Sequence, residues 1–186
     1  MTRWIAGLLL LAWLFLEFVL REGDEARSWR GGDADRSSTR LIVVTYVVAF
    51  VAPFLFLSSG VAVTAADSLL GWVGIAIGAI GLAIRIWSMQ VLGRDYTRSL
   101  RTRDDQAIVD RGPYGVIRHP GYLGSILVWF GSRLALNWLV ALATAAALFA
   151  VYAYRIRAEE QMLSEQFGAQ YGTYQARTKR LVPFIW

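Results

Sequence analysis

A chain of 186 residues with 56% apolar side chains is long enough for one domain and more apolar than an ordinary soluble one. The absence of cysteine excludes disulfides, thiolate metal sites and cysteine nucleophiles, and a single histidine, His119, excludes a multi-histidine metal centre. The formal charge of +5 does not point to nucleic acid, because the basic residues stand in short segments beside apolar runs, where membrane topology accounts for them.

The first apolar run, Trp4 to Leu20, approaches the roughly 20 residues that a membrane-spanning helix needs. It is longer than a signal-peptide core and has no small-residue cleavage site before the charged stretch, so we read it as a helix. Residues 21–40, REGDEARSWRGGDADRSSTR, mix both charge signs with Gly and Ser and read as a solvated loop. A second span covers Leu41 to Leu57, with Pro53 placed to kink it or end its regular part. The third, Leu69 to Leu92, carries glycines at 71, 74, 78 and 81, which line one helix face with small residues and invite close packing. That packing serves either the chain itself or a dimer; no oligomer is required. Arg85 on the same helix faces either an acid or polar cavity in the interior, or the membrane surface by snorkelling.

Residues 93–120 are polar and hold Arg94, Arg98, Arg101, Arg103, Arg111 and Arg118. The basic residues of 93–103 fit topology setting and lipid headgroup contact. An apolar stretch from Tyr122 to Tyr154, broken at GSRLALN, reads as two helices joined by a tight turn near Arg133 to Asn137. From Arg155 the tail is polar, helical at first, and ends in LVPFIW.

Lys and Arg number five in loop 21–40, none in 58–68, six in 93–120, one at the hairpin turn and five after 154. With five crossings this alternation places the amino terminus outside and both 93–120 and the tail in the cytoplasm. The expected fold is all-α: a single polytopic membrane domain of about five transmembrane helices, the last two a hairpin, with a cytoplasmic loop and C-terminal helix.

Those two cytoplasmic segments hold the chemistry. In GPYGVIRHPGYLG, residues 112–124, Pro113 and Pro120 fix their own dihedrals and bias their neighbours toward extended backbone, giving a shaped loop. The tail offers adjacent acids, Glu159 and Glu160, then Tyr171, Tyr174 and Arg177 at spacings of three, on one face if helical. Read alone, the acids pair with Arg155 or Arg157 on a solvated helix, and the tyrosines are interfacial anchors.

GPYGVI followed by RHPGYLG, with the tail pattern EE, FG, Y, Y, R, P from Glu159 through Pro183, resembles the isoprenylcysteine carboxyl methyltransferase family and, more widely, the membrane phospholipid methyltransferases. The resemblance covers roughly residues 70–186 and leaves the first third without a matching motif. It implies a variable N-terminal part, 1–68, a cofactor-binding core, 69–186, S-adenosylmethionine as methyl donor, and a pocket closed by the carboxy-terminal segment. It also implies that Tyr114, His119, Pro120, Tyr122, Leu123, Glu159, Glu160, Tyr171 and Tyr174 contact the cofactor. Arg118, Glu160 and Arg177 would be catalytic, the two arginines near the transferring methyl; Arg85 and Arg94 are weaker candidates.

Methyl transfer from a sulfonium is an in-line displacement that depends on alignment and needs no metal. A carboxylate acceptor, such as that of an isoprenylcysteine-like or other lipid held by an arginine fork, needs no base. An amine acceptor would need Glu160 or His119 to take its proton. In either case the substrate is lipophilic or prenylated and reaches the site through the bilayer. The alternative activity is an NADPH-dependent membrane reductase of the sterol-reductase type, which has a similar loop and tail; a non-catalytic membrane scaffold is a third reading.

Overall fold

The computed structural model describes residues 1–19, 37–58, 69–93 and 107–183, and its regular structure is helical. Helices α1 (Thr2–Val19), α2 (Ser38–Ser58), α3 (Leu69–Leu92), α4 (Pro120–Leu134), α5 (Trp138–Phe167) and α6 (Ala169–Arg177) follow in order, with a 3-10 turn at Gly112–Gly115. The five long apolar stretches read from the sequence are all helices, and α4 and α5 form the expected hairpin. The charged loop ends sooner than expected: Ser37 takes a left-handed φ of 63° and helix begins at Ser38, so 38–40 belong to α2. Pro53 does not end α2, which continues to Ser58. Leu20, loop residues 21–36, residues 59–68, and Arg94, Arg98, Arg101 and Arg103 lie outside the described residues.

The hairpin turn follows from local chemistry. The Arg133 carbonyl accepts from the backbone N–H groups of Leu136 (2.9 Å) and Asn137 (2.8 Å), stopping α4. The Asn137 side chain then accepts from Leu139 N (2.9 Å) and Val140 N (3.2 Å), satisfying two otherwise orphaned donors at the start of α5. At the other end of α4, Pro120 occupies the first helical turn, where its missing N–H costs nothing.

The glycine stripe of α3 serves packing within the chain. A Cβ on Gly81 would stand 2.7 Å from the Gly124 carbonyl oxygen and 2.6 Å from Leu127 Cβ, and Gly74 meets Gly131 as closely, so α3 and α4 touch backbone to backbone. Gly71 and Gly78 receive Thr2 and Leu9 of α1. Arg85 resolves toward the interior: at 4% exposure it donates from Nε to Glu17 Oε1 (2.8 Å) and from Nη1 to the Gly121 carbonyl (2.6 Å), tying α1, α3 and α4 together. An aromatic core of Trp13, Tyr46, Trp129 and Tyr152 fills the space between α1, α2, α4 and α5, with Tyr46 stacked on Trp129 at 5.2 Å.

The outward faces are apolar. Trp4, Leu8, Leu11 and Phe15 on α1, Val44, Val47 and Val48 on α2, and Leu139, Leu142 and Phe149 on α5 are exposed. Helices α3 and α5 are long and apolar enough to cross a membrane and lie mostly uncovered by protein, unlike the core helix of a soluble domain.

Gly81→Ala should lower the thermal unfolding midpoint of the detergent-solubilised protein by several degrees, since overpacking a close contact costs about 1–3 kcal/mol. Gly172→Ala, where nothing stands within 4 Å, should change it far less.

Candidate active site

Five elements meet at the end of the bundle opposite the hairpin turn. The 3-10 turn and the irregular 116–119 segment precede α4, with Val116 helical (ψ −51°) and His119 at ψ 53° rather than in the extended backbone expected before Pro120. The polar half of α5 runs out past Tyr154, and α6 folds back over both. The segment after α6 pairs with the loop like a short parallel strand. Ile117 bridges Lys179, Arg118 N donates to Lys179 O (2.8 Å), His119 N donates to Arg180 O (3.0 Å), and Lys179 N donates to Val116 O (3.4 Å).

Glu160 sits at the centre, 4% exposed. Arg118 Nε donates to its Oε1 (2.7 Å), Arg180 Nε to its Oε2 (2.8 Å), and His119 Nε2 lies 3.4 Å from Oε1. Arg118 also reaches the Gln175 and Thr178 carbonyls through Nη1, so it clamps loop to tail and its donors are directed at the chain itself. Glu160 lies in the part of α5 beyond the apolar run that ends at Tyr154. Burial pushes its carboxyl up, but hydrogen bonds from His119 and Arg118 and their charges outweigh this and hold it at about 2 against an ordinary 4.5.

Glu159 is a quarter exposed and accepts from the Tyr122 hydroxyl (2.7 Å). Arg155 Nε in turn donates to that hydroxyl (2.8 Å), and its Nη1 donates to Ser38 Oγ and Thr39 Oγ1 (3.0 Å each) at the start of α2. His119, Tyr122 and Tyr152 stack in series, with centroids 5.6 and 4.6 Å apart.

On α6, Tyr171 and Tyr174 are 2% and 4% exposed, which excludes the lipid-anchor reading for both. The Tyr174 hydroxyl donates to the Tyr114 carbonyl (2.8 Å), while the buried Tyr171 hydroxyl has no partner among the described residues. Burial, reinforced at Tyr171 by Glu160 and Glu159, raises both phenols well above their ordinary value, so they remain neutral donors.

The structure therefore brings together Tyr114, Arg118, His119, Pro120, Tyr122, Glu159, Glu160, Tyr171 and Tyr174. Leu123, half-buried, follows Tyr122 on the first turn of α4. Arg177 stands at the rim: its side chain is 58% exposed, pairs with Asp110 and lies over the Tyr174 ring at 5.8 Å. Sequence reasoning missed Arg155, Thr178 and Arg180. In the sequence Arg155 reads as a partner for Glu159 or Glu160 at helical spacing, and Arg180 only as one of the basic residues after 154.

The profile of the phospholipid methyltransferase family matches residues 69–170, over half of the chain. The probable protein-S-isoprenylcysteine O-methyltransferase of Oryza sativa subsp. japonica is 31% identical over 119 residues, 62% of this chain and 62% of its own. Protein-S-isoprenylcysteine O-methyltransferase B of Arabidopsis thaliana is 31% identical over 115 residues, 60% of this chain and 58% of its own. The Saccharomyces cerevisiae protein-S-isoprenylcysteine O-methyltransferase is 30% identical over 147 residues, 77% and 60%. The chain thus spans about three fifths of the length of the curated relatives it matches. A solved eukaryotic intramembrane Ras methyltransferase, isoprenylcysteine carboxyl methyltransferase, shares the fold with a TM-score of 0.69 at 23% identity, covering 95% of this chain and 64% of that one.

The fold is that of an intramembrane methyltransferase. The chain belongs to the phospholipid methyltransferase family and, within it, is similar to the isoprenylcysteine methyltransferases.

Glu160→Gln should destabilise the protein by roughly 2–4 kcal/mol, because it removes the charge that compensates Arg118. The folded carboxyl titrates below its ordinary value, so its stabilisation is present above about pH 4.5 and disappears as pH falls toward about 2. Unfolding midpoints followed from pH 6 to 3 should fall more steeply for the wild type than for this variant.

Proposed function

We propose that the protein is an integral membrane methyltransferase that uses S-adenosylmethionine to methylate a lipid-soluble carboxylate, of the prenylated-cysteine type or a related lipid. The junction of loop and tail carries this reading: a buried carboxylate, a partly open one and a histidine, all within the stretch that matches the family, converge with a tyrosine hydroxyl that has no partner among the described residues. The same reading treats 69–186 as the cofactor-binding core and puts this end of the bundle in the cytoplasm, with the amino terminus outside.

The residues present fit the cofactor. The Tyr171 hydroxyl, buried and without a partner among the described residues, is a donor awaiting an acceptor, and Glu159 offers carboxylate oxygen at the partly open edge. When bound, S-adenosylmethionine supplies a methyl on a cationic sulfonium. The chain holds the donor by Glu159, His119, Tyr171 and the loop backbone. The stacked rings of Tyr122 and Tyr152 keep water from the bundle side of the pocket. A carboxylate acceptor is already nucleophilic, so alignment is the main contribution of the protein and no base is needed. Names of the relatives as O-methyltransferases support oxygen rather than nitrogen as the acceptor atom. Arg177, exposed and tied to the Asp110 side chain, is the arginine assigned to the acceptor.

Calorimetric titration of the detergent-solubilised protein should show binding of S-adenosylhomocysteine and no binding of NADPH; the reverse pattern would overturn the assignment. Tyr171→Phe should weaken that binding roughly 2- to 10-fold, the worth of one hydrogen bond, and leave the unfolding midpoint unchanged because no partner is lost. Arg177→Ala should lower turnover while cofactor affinity and folding persist. Wild-type turnover by that variant would remove Arg177 from the site.

A further inference from the structure

At the opposite end of the bundle stands a group of buried polar atoms that this chemistry does not use. Arg133, in the last turn of α4, is 4% exposed, and its Nε and Nη2 have no hydrogen-bond partner among the described residues. The same is true of the buried Ser132 Oγ and Trp129 Nε1. Steps of three and four residues put these side chains on one side of α4, and the Arg133 guanidinium lies 5.2 Å from the centre of the Trp129 ring.

The other buried arginines are compensated: Arg85 by Glu17, Arg118 by Glu160, and Arg155 by the hydroxyls of Tyr122, Ser38 and Thr39. Indole and guanidinium N–H groups only donate, so the cluster is complementary to an acceptor, and a buried guanidinium calls for an anion.

The depth of the cluster identifies the source of that anion. Helices α1, α3 and α5 all start at this end, where Thr2 rests on Gly71 and Gly74 meets Gly131 beside the hairpin turn. Their first turns carry Trp4, Trp72 and Trp138, all exposed. Exposed tryptophans of a membrane helix bundle collect at the level of the lipid headgroups.

We propose that Arg133, Ser132 and Trp129 form a binding site for the phosphate of a membrane phospholipid. A phosphate presents several anionic oxygens to the planar guanidinium fork and accepts from the indole and hydroxyl donors beside it. Fourteen residues of chain separate Arg133 from His119, roughly 20 Å along the helix, so a lipid held here is retained and lies out of reach of methyl transfer. The site therefore stands independently of the reaction assigned to the other end.

The test is native mass spectrometry of the full chain released from detergent micelles containing dioleoyl phosphatidylglycerol, dioleoylglycerol, which lacks phosphate, or inorganic phosphate. The wild type should retain phosphatidylglycerol, retain dioleoylglycerol far less, and show no phosphate adduct. Arg133→Gln should reduce phospholipid retention roughly tenfold or more, the consequence of losing a charge-assisted contact. Trp129→Phe removes the N–H donor and part of the indole but keeps an aromatic ring against Tyr46, and, folded with a lowered unfolding midpoint from the small cavity, should give a smaller drop of a few-fold. Equal retention of the two lipids, or an inorganic phosphate adduct in place of the lipid, would overturn the proposal. So would wild-type retention by folded Trp129→Phe, and this variant decides the matter if Arg133→Gln does not fold.

Discussion

The buried charge of Glu160 is the constraint on which the working end of this molecule depends. A carboxylate removed from water demands opposite charge and donors, and those lie far away in sequence: Arg118 and His119 before α4, and Arg180 beyond α6. Satisfying one side chain therefore fixes the path of two chain segments. The short parallel pairing of 116–119 with 179–180 is the backbone counterpart of the same requirement. The prolines of the loop make it feasible, since they hold that segment outside regular helix and leave its N–H groups free to meet the tail.

The rest of the bundle acts as a frame for this junction. Glycines in α3 and α4 allow backbone contact, so α4 presents the loop from a firm base. The Arg85–Glu17 pair then locks α1 to both helices at the Gly121 carbonyl, between Pro120 and Tyr122 of the site. Buried pairs of this kind contribute little net stability against an apolar alternative but penalise any arrangement that separates them. Their role here is to fix which helices are neighbours.

Much of this was legible in the sequence because lipid and backbone geometry impose simple rules. Apolar runs marked the five long helices, two of which, α3 and α5, are long and apolar enough to cross a membrane, and the bounds of Leu69 to Leu92 came out as read. The GSRLALN break located the turn, and two separated motifs located the loop and the tail that meet. What could not be read was the direction of individual arginines. Arg118 turns to the Gln175 and Thr178 carbonyls, Arg177 turns outward to Asp110, and Arg155 reaches back 116 residues to Thr39. Guanidinium groups on long flexible stems choose partners by three-dimensional proximity, and spacing along a chain carries little information about that choice. Ser38 escaped for a related reason: a short polar residue at a helix start looks like any loop residue until its distant partner is known.

The order of synthesis gives the tail pairing a further meaning. The ribosome delivers residues 116–119 some sixty positions before 179 and 180, so the loop waits for its partner until the last long helix, α5, has been made. Until then the loop lacks the backbone partners of the tail, and Glu160 lacks Arg180. The junction around Glu160 therefore closes as a late docking event, separate in time from the pairing of the long helices, and a chain interrupted before residue 179 would keep those helices but leave this end unassembled.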